Sequence, residues 1–233
     1  MKVTTNQELV ESRAKWGRRI APVTLLLLVA GLITNFMSIN QPEYFQITLI
    51  LLFGGFISAI FSSNLVNNWV REPRSDQTLV QLLKKFGNDY ELFNYTSPVP
   101  HALLAPDGIH AITVKKHDGE ITINGRRIHR KFTWRRLFRL FSDEGLGTPI
   151  GEAEGNAAKL TKYLRRSLPE EQIPPVKPLL LFSNPEARLS VHDPAIPVMA
   201  TKEFKTYLRE QGKMRNVSSD RRKQLAELLV TPK

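Results

Sequence analysis

Ile20 to Ile39 is a run of 20 residues without a charged side chain, and Tyr44 to Val66 is a second such run of 23. At about 1.5 Å per residue, either run crosses the roughly 30 Å hydrocarbon core of a bilayer as a helix. Asn40, Gln41, Pro42 and Glu43 separate them. A polar connection this short, with a helix-breaking proline in it, predicts a tight transmembrane hairpin over residues 20–66, with spans 20–39 and 44–66. A cleaved signal peptide is the competing account of the first run, because Arg13, Lys15, Arg18 and Arg19 resemble a charged leader. It fits poorly, since the run is long, no small-x-small cleavage site with a soluble segment after it appears, and a second span follows at once. Gly55 and Ala59 make a small-xxx-small pair beside Gly54, although small residues are common in spans generally. Trp16, Tyr44 and Trp69 lie where interfacial aromatic belts are expected.

Beyond the hairpin the period changes. Leu79, Leu82, Leu83 and Phe86 have helical spacing behind Ser75 or Asp76 as an N-cap, and Tyr90–Tyr95 alternates like a strand. His101–Ala105, Ile109–Lys115, Glu120–Ile123 and Arg126–His129 follow, joined by turns at Pro106-Asp107-Gly108, His117-Asp118-Gly119 and Asn124-Gly125. Asp-Gly and Asn-Gly steps between alternating segments predict an antiparallel meander. A helix is expected from Ile150 to Ser167, with Ala153, Ala157, Leu160 and Leu164 on one face. A buried strand at Leu179–Phe182, a short strand near Ile196–Ala200 and a helix from Thr201 to Gln211 come next. These elements predict a mixed sheet flanked by helices, an α/β or α+β domain over residues 72–211. A basic arm (1–19) precedes the hairpin. A basic tail (212–233) ends the chain, with one amphipathic stretch around Leu225, Leu228 and Leu229.

Composition adds constraints. The 233 residues are 42% hydrophobic and 24% charged, which excludes a disordered chain, and the absence of cysteine excludes disulfides and thiolate metal sites. Any metal must be held by Asp, Glu or His. The net charge of +11 is spread as +3 over residues 1–19, −1 over 20–66 and +9 over 67–233. Such a field calls for anionic partners, lipid headgroups or nucleic acid. Lys and Arg flank both spans and are missing from the loop between them, so the positive-inside rule places both termini and the main domain in the cytoplasm.

The stretch His101-Ala-Leu-Leu-Ala-Pro-Asp-Gly-Ile-His-Ala-Ile-Thr-Val-Lys115, with Asp118-Gly119-Glu120-Ile121 after it, resembles the central hairpin of the nuclease-related domain (NERD) family. Ser75-Asp76 before Leu79, Leu82 and Leu83 looks like that family's opening helix. Thr148-Pro149-Ile150 looks like its Asn-Pro-Leu, and Pro178–Phe182 like its following strand. The resemblance covers residues 72–211 and implies a restriction-endonuclease-like fold of the PD-(D/E)xK type. An anchored domain of this kind looks bacterial. Chemistry of that type needs two carboxylates to hold a divalent cation and a lysine to orient the attacking water. Here Pro100 stands at the family's Asp position and Thr113 at its Glu position, while His101 and Lys115 are retained. Asp76 keeps the opening-helix acid and Glu152 stands for a Gln in the second helix.

The resemblance therefore implies a degenerate, non-cleaving member that needs no cofactor and no metal. The alternative is an active nuclease whose Mg²⁺ or Mn²⁺ sits on a rearranged site built from Asp76, Glu152 and His101, with Lys115. Each residue also has an ordinary account. Lys115 reads as a solvated strand-end lysine, His101, His110, His117, His129 and His192 as scattered surface histidines, and Asp107 and Asp118 as turn formers.

Residues 126–141 are basic and aromatic. If Trp134 to Phe141 is helical, Trp134, Leu137, Phe138 and Phe141 form one stripe and Arg135, Arg136 and Arg139 lie off it. Together with Arg126, Arg127, Arg130 and Lys131 this segment is the candidate surface for an anionic partner. Three accounts remain open: an interfacial helix on anionic lipid, a nucleic-acid surface that uses the arginines on phosphates, and an apolar stripe packed as core with the arginines solvated. The functional expectation is a membrane-anchored cytoplasmic binding or scaffold module. A structural membrane protein with no nucleic-acid role is the other alternative.

Overall fold

The structure, a computed structural model, describes residues 1–132 and 145–230. They form two compact units, one built on Gln7–Arg74 and the other on Met1–Asn6, Ser75–Lys131 and the residues from Leu146 onward.

The first unit is a helical hairpin of α1 (Gln7–Ser38) and α2 (Tyr44–Leu65), with a single π-turn at Val66–Val70. Its connection is as tight as the sequence suggests: the amides of Asn40 and Gln41 both donate to the Met37 carbonyl, at 3.2 and 3.0 Å, and Tyr44 donates to Gln41 at 3.1 Å. The two helices approach closely at reciprocal glycines. A Cβ on Gly31 would sit 2.7 Å from Leu52, and one on Gly55 would sit 2.7 Å from Leu28. The close approach therefore uses Gly31 with Gly55. Gly54 faces open space. Hydrogen bonds between Thr24 and Ser58 (2.6 Å) and between Thr48 and Thr34 (2.9 Å) cross the same seam. Both helices are long and apolar enough to cross a membrane. Eighteen large apolar side chains between Val23 and Phe61 are exposed, against six elsewhere among the described residues. A water-soluble helix hides such a face, so this pair is suited to an apolar surrounding.

The second unit holds a six-stranded mixed sheet in the order β1-β2-β3-β4-β7-β9 and a three-stranded sheet in the order β6-β5-β8. The strands are β1 (Lys2–Thr5), β2 (Glu91–Asn94), β3 (His101–Ala105), β4 (Gly108–Lys115), β5 (Gly119–Asn124), β6 (Arg127–Arg130), β7 (Val176–Phe182), β8 (Ala187–His192) and β9 (Val198–Ala200). Strands β2, β3 and β4 are antiparallel neighbours, and β4 then pairs in parallel with β7 across α4 (Pro149–Leu164). The expected meander thus ends at β4. Strands β5 and β6 make their hairpin in the smaller sheet, where β8 joins β5 in parallel.

Alternation along the strands sorts the core into two faces. Leu92, Leu103, Ile112, Leu179 and Leu181 pack with α3 (Ser75–Leu83) and α5 (Thr201–Gln211). Phe93, Ala102, Leu104, Ile109 and Ala111 pack on the other face with α4 and α6 (Ser219–Val230).

Two segment boundaries differ from the sequence expectation. The arm expected over residues 1–19 is divided: Lys2–Thr5 is an edge strand of the main sheet, paired in parallel with β2, and helix begins at Gln7. The tail expected over 212–233 contains α6, whose Leu225 and Leu229 are fully buried against α4 and the sheet. Apolar burial overrides the run of basic residues around it. Leu225→Ala is therefore expected to lower the unfolding free energy of the full chain by about 2–5 kcal/mol. The exposed neighbour Lys223→Ala should shift it by under about 0.5 kcal/mol. Denaturant titration in detergent reads both, and equal effects would return this segment to a solvated tail.

Candidate functional site

Paired residues on neighbouring strands point to one face, so the register decides which candidate side chains meet. Asn94 pairs with His101. Both lie on the face covered by α3, which carries the buried Asp76. The amide of Asn94 donates from Nδ2 to Thr5 Oγ1 at 3.2 Å, and His101 Nδ1 donates to Asn94 Oδ1 at 2.8 Å. A chain of polar groups therefore runs from β1 through β2 to β3. The ring of Tyr95, a non-glycine residue at φ 60°, lies 5.1 Å from the imidazole. Burial lowers the His101 pKa to about 4. The Asp76 carboxylate pulls it upward and Lys116 adds to the fall. His101 is thus a buried, neutral imidazole at ordinary pH.

Thr113 and Lys115 lie on the opposite face, under α4. Asn156 Nδ2 donates to Thr113 Oγ1 at 3.0 Å, and Lys115 Nζ contacts the two Glu152 oxygens at 2.9 and 2.7 Å. Lys115 is accordingly neither solvated nor free to meet a substrate without breaking an ion pair. The four candidates separate into two pairs, Asp76 with His101 and Lys115 with Glu152, on opposite sides of one sheet. The rearranged acidic site is not assembled from them. Among the described residues, no three His, Asp or Glu side chains converge as metal ligands.

The basic segment is described only in part, and Trp134, Arg135, Arg136 and Arg139 lie outside the described residues. Arg130 leaves the candidate binding surface: its side chain is buried, donates from Nε to the Asp118 carbonyl at 2.8 Å and pairs with the Asp118 carboxylate. A buried guanidinium with these partners holds the base of the β5–β6 hairpin and is closed to an incoming anion. Arg126 and Lys131 are exposed but paired, with Glu154 and Glu120, and Arg127 is exposed. Surface pairs of this type are weak and yield readily to another anion.

A further cluster has no counterpart in the sequence expectation. Asp107 and His110, read there as a turn former and a surface histidine, are fully buried on the α3–α5 face. His110 Nε2 donates to both Asp107 oxygens at 3.1 and 3.2 Å, and Lys177 donates to Asp107 at 2.6 Å and to Gln211 at 3.1 Å. Burial pushes the Asp107 carboxyl upward, but the hydrogen bonds and charges of His110 and Lys177 outweigh it and hold the pKa at about 2. His117 is buried as well, so three of the five histidines are internal. The available signal was position: His110 shares the period-2 face of Ile112 and Val114, inside an otherwise apolar strand. This cluster ties β4, β7 and α5 together.

No family model, curated protein or solved structure matches the chain.

The buried imidazole generates a pH prediction. Between pH 6.5 and about 4 the unfolded chain binds a proton at His101 and the folded chain does not, so stability falls as the pH is lowered through that window. The loss is on the order of 3 kcal/mol. Below it, from about pH 4 to 2, protonation of Asp107 removes a second contribution. Denaturation midpoints measured against pH should show the upper slope flattened in His101→Gln. An unchanged slope would assign it to another group.

Proposed function

We propose that the protein is an integral membrane protein whose NERD-like domain faces the cytoplasm and binds anionic partners there without metal-dependent cleavage. One observation carries this reading: a single sheet domain is interrupted by two helices whose apolar side chains face outward. At roughly 1.5–3 kcal/mol for each large apolar side chain taken from water, eighteen such side chains outweigh the cost of closing the chain around a hairpin. Because β1 precedes the hairpin and its partner β2 follows it, two crossings keep every part of the domain on one side. The basic flanks make that side the cytoplasmic one.

Residues 67–233 carry 28 basic against 19 acidic side chains, so the domain held at the membrane presents a positive field to nucleic acid and to anionic headgroups. The absence of carboxylates at Pro100 and Thr113, and the engagement of Lys115 by Glu152, support binding without hydrolysis.

The test uses the full chain in lipid nanodiscs, because a fragment that begins after the hairpin lacks β1. Labelled DNA and RNA, offered with EDTA, Mg²⁺ or Mn²⁺, should be retained uncut, with affinity falling steeply as salt rises. Metal-dependent cleavage would overturn the non-enzymatic reading. Salt-independent retention, or none, would remove nucleic acid as a partner and leave the lipid surface.

A further inference from the structure

The residues just ahead of the first apolar run form a feature separate from the basic segment at 126–139. Ser12, Lys15, Trp16 and Arg19 line a shallow cleft of about 200 Å³ on α1, at the beginning of the span. Against about 30 Å³ for one water, this is room for a hydrated phosphodiester. Their spacing of i, i+3, i+4 and i+7 puts all four on one helix face, and all four are exposed. Arg13 and Arg18, at similar depth, fall to either side of that face.

Depth and continuity identify the occupant. Arg19 is the last charged residue before the apolar run, and Trp16 lies one turn outward, at the level where amphipathic rings settle between headgroup and hydrocarbon. Directly below the cleft, the same helix face carries Val23 and Leu26, both exposed. A polar cleft continuous along the helix with exposed apolar side chains matches a headgroup joined to an acyl chain. A free anion or a nucleic-acid strand has no use for the apolar half. The chemistry of the cleft agrees: a guanidinium that takes phosphate oxygens in pairs, an ammonium as a second charge, a hydroxyl, and an indole N–H. No ion pair among the described residues occupies Lys15 or Arg19. Glu11 stands one turn before Lys15 at the edge of that face, without an ion pair to it, and Glu8 lies a full turn beyond Ser12.

We infer that Ser12, Lys15, Trp16 and Arg19 bind the phosphodiester headgroup of an anionic phospholipid, with Val23 and Leu26 receiving its acyl chain. The inference rests on the membrane reading above and adds a localised lipid site to it.

The test compares the full chain with Lys15→Gln/Arg19→Gln and with Arg13→Gln/Arg18→Gln, two variants that lose the same charge at similar depth. Phosphatidylglycerol and phosphatidylcholine retained on detergent-released protein are measured by native mass spectrometry, after alkaline carbonate extraction of the membranes. The wild type should retain phosphatidylglycerol in preference. Lys15→Gln/Arg19→Gln should weaken that retention by roughly 10-fold or more, and Arg13→Gln/Arg18→Gln by under about 3-fold. Equal weakening in both variants, or no preference in the wild type, overturns the localised site and leaves the membrane reading standing. Release of the protein by carbonate overturns the membrane reading, and the site with it.

Discussion

The parallel pairing of β1 with β2 is the constraint on which the rest of the architecture depends. Four residues ahead of the hairpin, Lys2–Thr5, match Glu91–Asn94 in register, and the ladder is extended by Lys2 N to Tyr90 O at 3.1 Å and Asn6 N to Asn94 O at 3.0 Å. The terminal amino group adds a bond to the Phe86 carbonyl at 3.1 Å. Each such bond contributes only about 0.5–1.5 kcal/mol net, but together they make the two helices an insertion within a domain. Both ends of the hairpin lead into the sheet domain, through Asn6 on one side and Ser75 on the other.

The polar interior follows from the same sheet. One face carries Thr5, Asn94 and His101 near β1, and Asp107, His110 and Lys177 nearer β7. The other carries Thr113 with Asn156 and Lys115 with Glu152. Hydrogen bonds within each set offset most of the desolvation penalty of these buried groups, although His110 Nδ1 is left without a hydrogen-bond partner among the described residues. The candidate residues stand in two separate sets: Glu152 is engaged by Lys115 on one face, and Asp76 lies near the neutral His101 on the other.

Much of this was legible before the structure. The two long apolar helices are readable from length alone, although α1 begins at Gln7 and not at Ile20. Helix α5 falls on Thr201–Gln211 because its apolar spacing and its entry from β9 are both clear. Strand β1 escapes because four residues with two threonines show no useful alternation, and because the basic residues after it suggest a solvated arm. Strand β8 was there to read in the alternation of Ala187, Leu189 and Val191, but only one edge of it is paired and its burial is slight. The site was less legible. Residue identity shows that Pro100 and Thr113 lack carboxylates, but only the strand register reveals that Asp76 and Glu152 stand on opposite faces. Likewise Arg130 and Arg127 look equivalent in sequence, and the pleat alone makes the first internal and the second exposed.

The placement of β1 also sets an order of events during synthesis. Lys2 leaves the ribosome well before its partner Glu91, which is 89 residues downstream. At about 5–20 residues per second the strand waits roughly 5–20 s for its mate. Closing so long a loop in a free chain costs entropy that grows with the logarithm of its length. Prior formation of the α1–α2 hairpin removes most of that length, because the two helices carry the chain out and back. Formation of the hairpin is therefore placed to act as a folding template, shortening the loop that the first strand must close to reach its partner.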